Sequence, residues 1–107
     1  MPHCELHYSN DLDIDVDVIL AEVEAIILAH DAGSGQTKGR AYPAPYFRHT
    51  NFKASLSLLP KPHRDAQFVA ALQRDVVAAI AKHLPRPCWM SIDIGFSGTG
   101  YHTEFLE

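Results

Sequence analysis

The second residue of the chain is a proline. Initiator methionine is usually removed when the next residue is small, and removal of Met1 would leave Pro2 as a secondary amine held in a ring. The conjugate acid of such an amine starts near the α-amino range of about 7.7–8.0 or somewhat above it. Burial and neighbouring cations both disfavour its charged form and lower that value. A base that titrates near neutrality is what proton abstraction beside a carbonyl requires. With Met1 in place the same nitrogen is an amide and cannot act as a base.

Other groups that could do chemistry are less well arranged. The chain has seven histidines. His3 and His7 flank Glu5, but on one strand they stand about 13 Å apart at 3.3 Å per residue, too far to share an ion. Neither an HExxH pair nor a CxxC pair is present, so no metal is expected. The run Gly33-Ser34-Gly35-Gln36-Thr37-Lys38-Gly39 looks like a phosphate loop only in composition. It lacks the Gly-Lys-Ser/Thr order and follows a helix pattern instead of preceding one, so it reads as a connector. Cys4 and Cys88 form no disulfide framework and read as reduced thiols of the core. No cofactor is expected.

The elements that position Pro2 follow from periodicity. His3 to Tyr8 alternates, with Cys4, Leu6 and Tyr8 on one face and His3, Glu5 and His7 on the other. Asn51 to Leu58 alternates too, placing Phe52, Ala54, Leu56 and Leu58 opposite Lys53, Ser55 and Ser57. Cys88 to Phe96 sets Met90, Ile92, Ile94 and Phe96 opposite Trp89, Ser91 and Asp93. Between the strands, Val16, Ile19, Leu20, Val23, Ile26 and Ile27 form one helical stripe, capped by Asp13 or Asp15 and ended by Gly33 and Gly35. Val69, Leu72, Val76 and Ile80 form a second, with Asp65 as its cap and Pro85 and Pro87 barring continuation. Tyr42 to Phe47 carries two prolines, so a strand there is short or at an edge, and Arg40 falls in the loop before it.

The pattern predicts an α/β (α+β) fold of two consecutive β-α-β units. They form a four-stranded sheet with both helices on one face, in a single domain over residues 1–107 with pseudo-repeats of about 1–47 and 48–107. The other sheet face is polar, with Trp89 upon it. A closed oligomer built on that face suits so small a chain. A formal net charge of −4 gives no reason to bind nucleic acid or an anionic membrane. No apolar run approaches the ~20 residues of a membrane span, and the N-terminus is not that of a signal peptide, so a cytoplasmic location is expected.

The start Met1-Pro2-His3, followed by an alternating strand that ends Tyr8-Ser9-Asn10-Asp11-Leu12, resembles that of the 5-carboxymethyl-2-hydroxymuconate isomerases of the tautomerase superfamily. So does a helix of the type Leu20-Ala21-Glu22-Val23-Glu24-Ala25-Ile26 leading through a glycine-containing turn to Arg40. A second strand then leads to Arg64 within Lys61-Pro62-His63-Arg64-Asp65. The resemblance implies a homotrimer with sheets inside and helices outside. It implies that Pro2 moves a proton between carbons of a small unsaturated 2-hydroxy or 2-keto carboxylate, as in aromatic catabolism, and that Arg40 and Arg64 hold substrate carboxylates. A guanidinium is suited to this, gripping a carboxylate through two parallel hydrogen bonds. Arg48 is a rival for that place, and Arg64 could instead pair with Asp65 or Asp75. Two alternatives stand beside this expectation. One is a tautomerase-fold hydratase or dehalogenase, with Glu5, Asp93, Glu104 or Glu107 activating water. The other is a non-catalytic oligomeric module, should Met1 be retained.

Overall fold

The computed structural model describes residues Met1–Glu107. Its elements follow the order β1 (His3–Ser9), α1 (Val16–His30), β2 (Lys38–Ala44), β3 (Asn51–Leu58), α2 (Ala66–Ala81) and β4 (Trp89–Phe96). The sheet order is β2-β1-β3-β4. Within each β-α-β unit the strands run parallel, β1 with β2 and β3 with β4, and the units join where β1 meets β3 antiparallel. This is the doubled architecture that the periodicity predicts. No helix is long and apolar enough to cross a membrane.

Alternation along the two inner strands decides the layers. Cys4 and Leu6 of β1 and Phe52, Ala54, Leu56 and Leu58 of β3 are buried against the helices. From above, Ile19, Val23 and Ile27 of α1 and Leu72, Val76 and Ile80 of α2 close the core. Both helices begin at the expected aspartates: the Asp15 carboxylate accepts from the Val18 N–H and the Asp65 carboxylate from the Phe68 N–H, each satisfying a donor that the first turn leaves free. Two histidine–carboxylate contacts tie the helices together on the outside, His30 to Asp75 at 2.6 Å and His83 to Glu22 at 2.7 Å.

Two boundaries and the burial of one strand differ from expectation, each for a local reason. α1 stops at His30, ahead of Gly33, because Asp31 turns extended; its N–H bonds the Ile27 carbonyl and its carboxylate accepts from the Gly33 N–H. β2 starts at Lys38 and ends before Pro45, so Arg40 belongs to a strand and not to a loop. Its partner β1 supplies the ladder that its own sequence does not advertise, and Pro43 is tolerated because β2 is an edge. Gly39 lets this edge lie close to α1, since a Cβ there would fall 2.9 Å from a Leu20 methyl. On β4 the expected core residues Met90, Ile92 and Ile94 are only half-buried and Phe96 is exposed, because this strand is the opposite edge and the helices cover the inner strands more completely.

One ion pair fixes the loop between β3 and α2. The Arg64 side chain is 2% exposed and that of Asp31 12%. Arg64 donates through Nε (3.0 Å) and Nη2 (2.8 Å) to Asp31 Oδ2, and through Nη1 to the Leu59 carbonyl (2.8 Å). His63 reaches the same oxygen at 2.8 Å. The His63 contact and then the Arg64 bonds hold the Asp31 carboxyl down at about 2. Removing one partner of so buried a pair strands the other charge, at a cost of about 3 kcal/mol. Asp31→Ala is therefore expected to lower the urea unfolding midpoint clearly at pH 7. A carboxyl depressed in the folded state stabilises above its unfolded pKa of about 3.9 and loses that effect as pH falls toward the folded value. The gap between wild type and Asp31→Ala should thus shrink between pH 4 and pH 2, which urea titrations at stepped pH will read.

Candidate active site

The start of β1 is where the chemistry gathers. Pro2 lies one residue before the strand, on the core-facing side of the alternation, and its ring is fully buried. Its carbonyl accepts from the Lys38 N–H at 2.9 Å, which pins the chain start to the start of β2. The α-amino group at Met1 is held below the usual α-amino range by burial first, then by the charges of Lys61, Arg64 and Lys38. Three cations, two from the β3–α2 loop and one from an edge strand, thus converge on the first peptide of the chain. Of these, only Arg64 is singled out by sequence. Lys38 shares a strand face with Arg40, but only once β2 is known to begin at residue 38.

Two hollows flank this point. One, of about 410 Å³, is lined by Met1, Gln36, Lys38, Thr103, Glu104 and Phe105. The other is a cleft of about 580 Å³ on the open face of the sheet, lined by His3, Glu5, Arg40, Ser55, Ser57 and Tyr101 among others. Tyr101 stands between the two. Its hydroxyl is 2.8 Å from His3 Nε2 and makes a longer contact, 3.4 Å, with the Met1 carbonyl. This brings the segment after β4 back over the start of β1. Burial and then the Arg40 charge hold the His3 imidazole below its ordinary pKa, which favours its neutral form.

Arg40 reaches the cleft from β2, where it is the register partner of Glu5 on β1. It donates Nη2 to Glu5 Oε1 at 3.0 Å and Nε to the Tyr42 hydroxyl at 3.1 Å, leaving Nη1 outside both bonds. The bond to Arg40 is the main reason that the Glu5 carboxyl titrates below the usual range. Arg64, by contrast, does not line the open-face cleft, and its guanidinium is bound to Asp31 and Leu59. The structure therefore brings Arg40 into a cleft beside His3, places Arg64 within electrostatic reach of the chain start, and does not join the two arginines in one hand.

The remaining candidates disperse. His7 stacks on Tyr42, with ring centroids 4.7 Å apart. Glu104 contacts His102 at 2.9 Å and Glu107 ends the exposed tail. Trp89 is 75% exposed at the far end of the sheet, where it shares a separate hollow with His49, Thr50, Pro87 and Cys88. Cys4 is buried, and burial pushes its thiol up to about 12, which makes it inert as a nucleophile.

No protein-family model and no curated protein sequence matches the chain. Solved structures do. A crystal structure of a 5-carboxymethyl-2-hydroxymuconate delta-isomerase is 21% identical, with a TM-score of 0.62 over 98% of this chain and 88% of that one. A 5-carboxymethyl-2-hydroxymuconate isomerase from Deinococcus radiodurans R1 is 19% identical, with a TM-score of 0.65 over 96% and 88%. At this identity the likeness is one of fold, and the resemblance first carried by Met1-Pro2-His3 and the two arginine segments extends to almost the whole three-dimensional chain.

Proposed function

We propose that the protein is an isomerase of the tautomerase type, which moves a proton between carbons of a small unsaturated 2-hydroxy or 2-oxo carboxylate. Pro2, freed of Met1, is the base and then the acid. One observation carries this reading above the others. The amine at the start of the chain sits among Lys38, Lys61 and Arg64 and is already pulled below its ordinary range. Removal of Met1 shifts the amine one residue inward, onto a ring that is fully buried. Burial and cations then act in the same direction on a nitrogen closer to the core. Each of these effects favours the neutral form of the amine, the form that can accept a proton. It takes a proton from one end of a conjugated enol and returns it to a carbon farther along, so no electron or proton is lost overall.

The cations serve the anion that this transfer creates. Lys38 and Lys61 would face the substrate carboxylate and the developing dienolate oxygen, where positive charge lowers the barrier. Arg40 offers its free Nη1 from the open face. Arg64, tied to Asp31, acts in this reading as a fixed charge that depresses the amine and not as a mobile clamp. The fold shared with two isomerases supports the same direction. Assembly as a homotrimer in the cytoplasm belongs to the proposal as well. The polar open face and the two free sheet edges, β2 and β4, give a second copy somewhere to bind.

Intact mass on protein from its native source is expected to lack Met1. Ketonisation of 2-hydroxymuconate and of phenylenolpyruvate, followed by ultraviolet absorbance, should fall by at least about 10²-fold in Pro2→Ala, the usual contribution of a general base. Equal rates in the two proteins would sink the assignment. The base must be unprotonated to act, so kcat/KM should rise with pH and level off below the usual α-amino range of about 7.7–8.0. Lys38→Gln removes one of the cations and should move that rise to higher pH, because less positive charge then opposes protonation of the amine.

A further inference from the structure

We infer that Glu5 restricts this site to singly charged acids: by holding Arg40 it leaves the open-face cleft without net charge, so the substrate carries one carboxylate, at its Pro2 end, and an uncharged, hydroxyl-bearing tail. The inference rests on the isomerase reading above and narrows its substrate class.

Charge is distributed unevenly along the site. Around the chain start, Lys38, Lys61 and Arg64 all bear on the amine, and only Arg64 has a carboxylate bound to it, that of Asp31. That end favours an anion. The cleft beyond it is compensated. Arg40 is its cation and Glu5, 3.0 Å away, is its anion. His3, between Glu5 and the chain start, is biased toward its neutral form by burial and by Arg40. The sheet register extends the pattern: Arg40 of β2, Glu5 of β1, Ser55 of β3 and Asp93 of β4 lie side by side in one row. One cation thus shares its row with two carboxylates. The next cation along this face, Lys53, is one step farther from Pro2, where it pairs in register with His7.

A second carboxylate on the substrate would lie against this row. It would have to share Arg40 with Glu5, and the guanidinium already donates one Nη2 N–H to Glu5 and its Nε N–H to Tyr42. Its Nε/Nη2 edge is thus occupied and its charge is already balanced by Glu5, so the N–H groups left on Nη1 and Nη2 offer a second carboxylate far less than an unpaired guanidinium would. Like charges at close range add repulsion. A hydroxyl group meets none of this. The cleft wall presents Ser55, Ser57 and Ser97, with Ser57 Oγ and Ser97 Oγ 3.2 Å apart, and the Tyr101 hydroxyl at the Pro2 end. These accept or donate to an uncharged polar tail without a partner of opposite sign.

The test compares two dienols that differ in the tail charge, 2-hydroxymuconate (two carboxylates) and 2-hydroxy-2,4-pentadienoate (one). Wild type is expected to show a KM at least tenfold lower for the monocarboxylate. Glu5→Gln keeps the shape and removes the charge, and should shrink that preference at least tenfold by lowering KM for the dicarboxylate. Circular dichroism and the unfolding midpoint establish that the variant is folded, and Glu5→Ser supplies a second uncharged replacement. A wild-type preference for the dicarboxylate, or a preference unchanged in both variants, overturns the inference. Calorimetric binding of glutarate against 5-hydroxypentanoate reads the same discrimination without turnover. There, 5-hydroxypentanoate should bind wild type the tighter and Glu5→Gln should close the gap, and equal binding in wild type counts against the inference. Undiminished turnover by Pro2→Ala would overturn the isomerase reading alone, because the charge preference is measured independently of which group moves the proton.

Discussion

Everything in this molecule depends on the period-two alternation of one strand. β1 lies in the middle of the sheet, parallel to β2 on one side and antiparallel to β3 on the other. Its even residues, Cys4 and Leu6, are completely buried under the helices. Its odd residues, His3 and Glu5, therefore have to stand on the open face. A slip of one residue would put Glu5 and His7 into the core and Leu6 into water, so the register is strongly enforced. Because Pro2 immediately precedes the strand, the same constraint decides where the first nitrogen of the chain sits. The Lys38 N–H that bonds the Pro2 carbonyl extends the β1–β2 ladder one step past the strand end and locks that position.

Electrostatics then follow from topology. Parallel pairing of β1 with β2 puts Lys38 beside His3 and Arg40 beside Glu5. The return from β3 into α2 brings Lys61 and Arg64 to the same end of the sheet, held by Arg64 on Asp31 at the end of α1. The two β-α-β units thus each deliver cations to the chain start, one through an edge strand and one through a loop. Neither unit alone could surround the amine. Doubling the motif is what makes the cationic end, and the buried Arg64–Asp31 pair is what keeps the second unit's contribution in place.

Much of this was legible in the sequence, and the exceptions have physical causes. Strands with one buried face announce themselves by alternation, and both aspartate caps stood immediately ahead of the helices they serve. β2 did not announce itself, because an edge strand with Pro43 and Gly39 owes its ladder to a partner and not to its own propensities. Placing Arg40 in a loop followed from that. Its pairing with Glu5 was hidden for the same reason, since the two are 35 residues apart and meet only through the register. The sequence offers Asp65 or Asp75 as partners for Arg64, whereas its bonds go to Asp31, at the end of the other helix. Lys38 and Lys61 were visible as residues but not as neighbours of the amine, for no periodicity in either segment points toward the chain start.

The contrast between the two ends of the site gives it a direction. A substrate that enters with its carboxylate toward Lys38 and Lys61 is drawn in by net positive charge, while the compensated Arg40–Glu5 row exerts little pull on the other end. The reverse orientation would place the carboxylate against Glu5 and leave the cations unmatched. One acid group is therefore enough to orient the molecule, and a second would only make the two orientations more nearly equal. A proton moved between two carbons must leave from and return to defined positions on a chain whose ends look alike to a symmetric site. In the proposed isomerase, separating a charged end from a neutral one would set which carbon faces Pro2 without a closely fitted pocket.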